Sequence, residues 1–297
     1  MNADRVGLGW RSPLAASIYT HRDEVDVIEV IAEDYFRSSR KVLRSLRALA
    51  RDIPTLCHGV TLGLASVVPV DVSRIQNLAR VIDSVEPVMW SEHLAFVRGG
   101  GYEIGHLAAP PRNLRTVEGA IRNIERIRMI VGAAPALENI ATLIAPPDSS
   151  MTEAEWNCSI ATASGCPLLL DLHNLYANCV NWNLDPHAIL RQFKLEQVQI
   201  VHLSGGVLIE HRATIGGPAH EHLLDDHCHD VPEVVFGMLS ELAERCAHPL
   251  TVIIERDGRY PEFSLLIQQM RRAREALARG RQRRENNHRR EHELATL

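Results

Sequence analysis

"PLLLDLHNL", residues 167–175, opens as continuous apolar chain and closes with an acid, an imidazole and an amide in quick succession. A run such as Leu168-Leu169-Leu170, with no polar alternation, is what a strand buried on both faces requires, as in a parallel sheet covered by helices. The carboxylate of Asp171 that ends it is costly in a dry interior unless a partner or a metal compensates its charge. Seven further segments have comparable apolar character: "VGLGW" (6–10), "VDVIEVIA" (25–32), "IPTLCHGV" (53–60), "PVMWSEHLAF" (87–96), "PALENIA" (135–141), "VQIVHLSG" (198–205) and "LTVIIERDG" (250–258). Between them lie stretches with helical spacing, among them 40–51, 113–131, 152–164, 185–194, 232–246 and 261–279. Eight strand–helix units are the number that closes an α/β fold of the (β/α)8 TIM-barrel type, with a doubly wound open sheet as the alternative.

The barrel is expected to occupy residues 1–280 as a single domain, since no interdomain linker is apparent. Residues 281–297, mostly Arg, Glu, Asn and His, read as a charged, disordered extension of the last helix. Two segments, 97–111 and 206–231, read as long loops after the fourth and seventh strands, and loops of that length in a compact domain are commonly functional. The glycine-rich "GLGWR" (7–11) and "TIGGPAH" (214–220) lack the spacing of a dinucleotide or phosphate loop and read as turns.

The composition narrows the function. The chain has 297 residues, 45% hydrophobic and 23% charged, enough for a sizeable core. A formal net charge of -5 argues against a protein that grips nucleic-acid phosphates, so no nucleic-acid partner is expected. There is no signal-like N-terminus and no apolar run near the roughly 18 residues a membrane span needs, so the expected location is cytoplasmic, without membrane contact. Six scattered cysteines form no C-x-x-C pair and are expected to be reduced. The unusual count is 15 histidines against five tyrosines and five phenylalanines, because histidine is the commonest metal ligand.

In a TIM barrel the chemistry sits at the C-terminal ends of the strands. There the sequence places His58, Glu92 and His93, Glu138 and Asn139, Asp171, His173 and Asn174, His202, and Glu255. The second strand contributes Glu29 and Glu33, and the 206–231 loop carries Asp225, Asp226, His227 and His229. A lone strand-end histidine is commonly just a hydrogen-bonded residue. Spacing argues for more: Asp171 and His173, two apart on a strand, would share the interior face, and Asp225-x-His227 repeats the pattern. Carboxylates packed together repel unless cations lie between them. His58, His93, His202, Glu138, Asp171 and Glu255 suffice for one metal. With His173, Asp225 and His227 the set reaches nine and suggests two or three ions, of iron, manganese or zinc. Cys57 beside His58 faces the other side of its strand and reads as a structural thiol. Trp10, Trp90, Trp156 and Trp182 read as packing residues.

The blocks "GLGWR", "HGVTLGLAS" (58–66), "WSEHLAF" (90–96), "LENIA" (137–141), "LDLHNLY" (170–176), "VHLSGG" (201–206), "DDHCHDVP" (225–232) and "IIERDG" (253–258), in this order, resemble the DUF692 family, the multinuclear non-haem iron-dependent oxidative enzymes. The resemblance implies a TIM barrel with two or three irons and O2 as co-substrate. It also implies a ribosomally made precursor peptide as substrate, typically modified at cysteine, and a small partner protein forming a heterodimer. It assigns iron ligands to His58, His93 and a bridging Glu138, to Asp171, His202 and Glu255 at the neighbouring ion, and to Asp225, His227 and His173 at a third. Asn139, Asn174 and His229 become alternative ligands or hydrogen-bond donors. Many relatives read Asp-x-Asn-Asn where this chain has Asp171-Leu172-His173-Asn174, and the segment between His202 and Asp225, with His211, His220 and His222, is longer than usual. The alternatives are a metal-dependent TIM-barrel isomerase or hydrolase, of the xylose-isomerase or apurinic-endonuclease kind, and a metal-binding scaffold without catalysis.

Overall fold

The apolar segments become eight parallel strands that close on themselves. In the computed structural model, which describes residues 3–212 and 219–295, the chain runs β1 (Arg5–Gly9), α1 (Ala15–Thr20), β2 (Ile28–Ile31), α2 (Arg40–Asp52), β3 (Thr55–Gly59), α3 (Val72–Val85), β4 (Met89–His93), β5 (Phe96–Gly99), β6 (Tyr102–Ala108), α4 (Leu114–Val131) and β7 (Ala136–Glu138). It continues through α5 (Glu153–Ser164), β8 (Leu168–Asp171), α6 (Leu172–Trp182), α7 (Pro186–Leu190), β9 (Val198–Leu203), β10 (Gly206–Arg212), β11 (Ala219–Asp225), α8 (Glu233–Arg245), β12 (Thr251–Ile254) and α9 (Phe263–Ala295). The barrel order is β1-β12-β9-β8-β7-β4-β3-β2, which rules out the open-sheet alternative. "GLGWR" is mostly strand rather than turn. Gly7 lets β1 and the chain entering β2 approach, since a Cβ there would lie 1.7 Å from the Val27 carbonyl oxygen.

Apart from β1, which matches its segment in length, each barrel strand is shorter than its apolar segment. That shortening overturns one argument from spacing: β8 ends at Asp171 and α6 begins at Leu172, so His173 lies in the first turn of a helix and does not share a strand face with Asp171. Asp171 is itself the cap that starts the helix, its Oδ1 accepting from the Asn174 N–H at 2.7 Å. The two presumed loops are largely antiparallel hairpins, β5–β6 and β10–β11, the second paired from Gly206↔Asp225 to Arg212↔Ala219. Their apolar runs, such as Val207-Leu208-Ile209 and Leu223-Leu224, are only two or three residues long and are flanked by histidines and acids. Most of the glycine turn at 214–220 lies outside the described residues.

The barrel interior is layered. Val27, Leu56, Ala136, Leu169, Ile200 and Ile253 form an apolar plug, separate from the larger core between strands and helices. Side chains on a strand alternate between its faces. The residue two positions on from each plug member therefore also points inward: Glu29, His58, Glu138, Asp171, His202 and Glu255. Trp90 and Trp156 are buried, whereas Trp182 is half-exposed.

The C-terminal extension is helical rather than disordered: α9 runs through the boundary near residue 280 to Ala295. Arg281 explains why. Its guanidinium takes Asp4 Oδ1 at 2.6 Å and donates to the carbonyls of Ala243, Cys246 and His248, tying the helix to the chain start and to the end of α8. Arg283 and Asn287 hold Glu244 at 2.6 and 3.0 Å.

Candidate metal centre

The layer above the plug holds six titratable side chains, all nearly inaccessible to water. Strand register sets them side by side: Asp171 pairs with His202 across β8 and β9, and His93 with Glu138 across β4 and β7. Two groups result. His58, His93 and Glu138 offer ligand atoms within 4.8 Å of one another, and so do Glu138, Asp171, His202 and Glu255. Glu138 belongs to both.

The distances suit a shared ion better than hydrogen bonds. His58 Nε2 and His93 Nε2 lie 3.4 and 3.3 Å from Glu138 Oε2, yet that oxygen makes no hydrogen bond among the described residues. Ligands about 2.1 Å from one ion stand about 3.0–3.4 Å apart at octahedral or tetrahedral angles. Asp171 Oδ2 and Glu255 Oε2 are likewise buried without a hydrogen-bond partner. Orphaned buried carboxylate oxygens are unfavourable unless a cation satisfies them, so the residues present fit a metal.

The electrostatics agree. Burial, reinforced by Asp225, Glu255 and Glu138, pushes the Asp171 carboxyl well above the usual carboxylate range. Burial opposes a charged His202, but Glu255, Glu29 and Glu138 overcome it and hold the imidazole well above the ordinary histidine value. Burial lowers His93 and so favours its neutral, ligating form. Burial works against an ionised Glu255 as well, and His202 and His227 outweigh it, holding the carboxyl well below its usual range. Asp171 and His202 thus both hold protons tightly, and those protons are what a bound metal would displace.

A third cluster adjoins these. His173 Nδ1 lies 2.9 Å from Asp225 Oδ1, and His227 Nε2 2.8 Å from Asp225 Oδ2 and 3.7 Å from Glu255 Oε2. The fully buried His173 has no hydrogen-bond partner at Nε2 among the described residues. Burial opposes an ionised Asp225, but hydrogen bonds from both histidines pull its pKa below the usual range. Here β11 and the first turn of α6 do what a strand spacing cannot.

Several neighbours orient these groups. Ser91 Oγ meets His58 Nδ1 at 2.8 Å, Glu29 Oε2 meets His202 Nε2 at 3.1 Å, and Asp257 Oδ2 meets His227 Nδ1 at 2.9 Å. Arg11 in turn holds Asp257 Oδ1 through Nε at 2.7 Å. Asn139 exchanges two hydrogen bonds with the Asp171 backbone, and Asn174 Nδ2 donates to the Asn139 carbonyl. Both asparagines thus orient the ends of β7 and β8. His229 is turned away, its ring nitrogens against Asp226 and Arg259. Glu92, which would read as a helix-cap partner, instead accepts from the Leu62 and His93 N–H groups. The sequence left out Ser91, Arg11 and Ser204, whose Oγ donates to Asp225 Oδ1 at 3.0 Å. Glu29 it named without a role, although the step of two from Val27 was a legible signal.

The centre lies at the floor of a cleft of about 460 Å³. His93, Glu138, Asp225 and His227 line its base, and Phe96, Leu107, Ile140, Leu143, Leu223 and Leu224 are among its apolar walls. The hairpins β5–β6 and β10–β11 contribute to those walls, a role that their position above the strand ends makes possible.

Residues 5–278 match the family model "RiPP precursor modification enzyme MbnB/TglH/ChrH". The chain belongs to this family. Proteins similar to it include a UPF0276 protein of Streptomyces avermitilis, 32% identical over 86% of this chain, and one of Anaeromyxobacter sp. strain Fw109-5, 28% identical over 92% of each. The chain spans about half, 52%, of the length of the Streptomyces relative. Among solved structures, D-psicose 3-epimerase of Clostridium cellulolyticum H10 is 11% identical with a TM-score of 0.54, over 94% of this chain and 99% of that one. A xylose isomerase domain protein of Planctomyces limnophilus is 14% identical with a TM-score of 0.54, over 96% and 100%. At these identities the likeness concerns the barrel alone. The MbnB/TglH/ChrH match thus covers all the strands and ligand-bearing segments described above.

Proposed function

We propose that this member of the MbnB/TglH/ChrH family is a multinuclear non-haem iron enzyme that uses O2 to modify a residue, in our reading a cysteine, of a ribosomally made precursor peptide. The observation that carries the reading is the set of buried, unpartnered ligand atoms at the floor of an apolar cleft. His58, His93 and Glu138 would hold one ion, Glu138, Asp171, His202 and Glu255 a second, and His173, Asp225 and His227 a third. Iron bound to such a mixed imidazole and carboxylate set supplies redox chemistry with O2. The protein fixes the ligands before any ion arrives: Asp171 by its place at the start of α6, His58 by Ser91, His227 by Asp257. The cleft walls exclude water and receive an apolar or thiol side chain, whereas a polyhydroxylated sugar would find few partners among Phe96, Leu107, Ile140 and Leu143. A small partner protein, presenting the peptide to the open cleft in a heterodimer, completes the reading.

The test is purification without O2, a metal count, and mass spectrometry of the precursor peptide after incubation with iron, partner and O2. A mass change that requires O2 is expected. An unchanged mass with all components supplied overturns the reading, and turnover of a sugar under strict exclusion of O2 with zinc bound would replace it by an isomerase.

A further inference from the structure

The inward-facing layer contains one carboxylate that neither close-packed ligand group uses. Glu29 is fully buried on β2, and its Oε2 lies 3.1 Å from Nε2 of His202. The other ring nitrogen, Nδ1, faces Glu138 Oε1 at 3.1 Å and Glu255 Oε2 at 3.2 Å. His202 therefore has an acid behind it and acids in front. Glu29 Oε1 has no hydrogen-bond partner among the described residues, so little else explains why an acid occupies this position.

The remaining imidazoles of the two groups are backed differently. His58 has the neutral hydroxyl of Ser91 at 2.8 Å. His93 Nδ1 has no hydrogen-bond partner among the described residues, and Glu92 Oε1 stands 3.9 Å from it. A carboxylate behind an imidazole fixes its tautomer and makes its other nitrogen a stronger donor to a metal, which a hydroxyl does less well. Ligand charge adds to the difference: the His202 group counts Glu138, Asp171 and Glu255, whereas the His58 group has only the shared Glu138. Access differs too. His93 lines the cleft, while Asp171, His202 and Glu29 have no exposed surface.

We propose that Glu29 is a positioning residue that makes the His202 group the tight metal site, so that the two groups load in order, His202 first and His58–His93 second. The inference rests on the metal-centre reading above. It concerns the assembly of the centre, and it predicts a state in which the deep ion is held while the ion nearest the substrate exchanges.

The experiment is titration of the full-length metal-free protein with Zn2+ alone, as a redox-inert probe, in competition with a chromogenic chelator. The wild type is expected to show at least two affinity classes, and His93→Ala to abolish a weaker one. Glu29→Gln keeps the shape and an acceptor oxygen but not the charge, and it should weaken the tightest class by about 10–100-fold while sparing the class that His93→Ala removes. Ser91→Ala should do the reverse. Thermal melts of the metal-free variants check folding, with Glu29→Asp as the second variant if the glutamine form does not fold. Wild-type affinities in Glu29→Gln overturn the inference, because they would mean that Glu29 only fills space. A wild type that binds no Zn2+ would instead remove the metal-centre reading beneath it.

Discussion

Asp171 shows how much one residue can carry. Its Oδ1 starts α6 and its Oδ2 is a buried, unpartnered ligand atom. Asp171→Asn separates the two roles, because asparagine caps helices as well as aspartate does. It should lower the affinity of the His202 group for metal at least 10-fold while leaving the metal-free melting temperature unchanged or higher, as paired metal analysis and thermal melts will report. The protonation states also make the metal-free protein pH-sensitive. Asp171, His202 and His227 are all raised in the fold, by the causes given above for the first two and, for His227, by Glu255, Asp225 and Asp257 overcoming its burial. A group that holds its proton more tightly when folded stabilises fully below its unfolded pKa, and that contribution is lost as pH rises through the folded value. For the histidines the loss begins above about pH 6.5. Burial also opposes ionised Asp225, Glu255 and Asp257, but their histidine neighbours hold all three below the usual range. They act on the acid side, their contribution present above about pH 4 and lost as pH falls through the folded values. The raised Asp171 begins to lose its contribution above about pH 4 and the raised histidines above about pH 6.5, so the metal-free protein should be most stable near pH 4 and lose stability most steeply above about pH 6.5, and the rise in melting temperature on adding Zn2+ should grow from about pH 6 to 8 as the displaced protons become easier to lose. A melting temperature of the metal-free protein that climbs through that upper range would contradict the assignment.

Among the secondary elements, the strands were the most legible. An apolar residue followed two positions later by an acid or imidazole recurs in six strands, and the period is a local property of extended chain. β1 carries the backbone counterpart of that packing at Gly7. Gly7→Ala would drive a Cβ into the Val27 carbonyl and should cost about 3 kcal/mol, measured by urea unfolding, with a loss of metal binding as β2 and Glu29 shift. Connections were harder to read. The segment 62–70 is held by Asn123 of α4, whose Nδ2 donates to the carbonyls of Leu64, Ser66 and Val68 while its Oδ1 accepts from Val70 N–H. Asn123→Ala strands four backbone groups and should destabilise the protein by about 2–4 kcal/mol, again by urea unfolding. A lone asparagine in a helix gives no sequence sign of that role, because its partners lie more than 50 positions away. The β10–β11 hairpin escaped reading because its apolar residues, Val207, Leu208 and Ile209 in β10 and Leu223 and Leu224 in β11, follow one another instead of alternating with polar ones.

At the scale of the whole molecule, the chain start and the last helix close the barrel together. Arg281 joins Asp4 to the end of α8, so a chain ending at Gly280 should melt clearly lower than one ending at His288, although the sequence placed its boundary between them. Equal melting temperatures would show that the extension of α9 is dispensable. What the sequence determined by itself was the number of barrel strands, their burial and the polar residues at their ends, because apolar runs and their periods depend only on neighbours along the chain. Which of those polar residues share a group was decided by the tertiary structure. Glu138 and His202 are 64 residues apart and Glu29 and His202 are 173 apart, and only register and closure of the barrel bring them within 3.1 Å. His173 reaches Asp225 from a helix rather than from the strand its spacing suggested. No periodicity encodes such meetings, since they depend on where strands distant in sequence end relative to one another once the ring is closed.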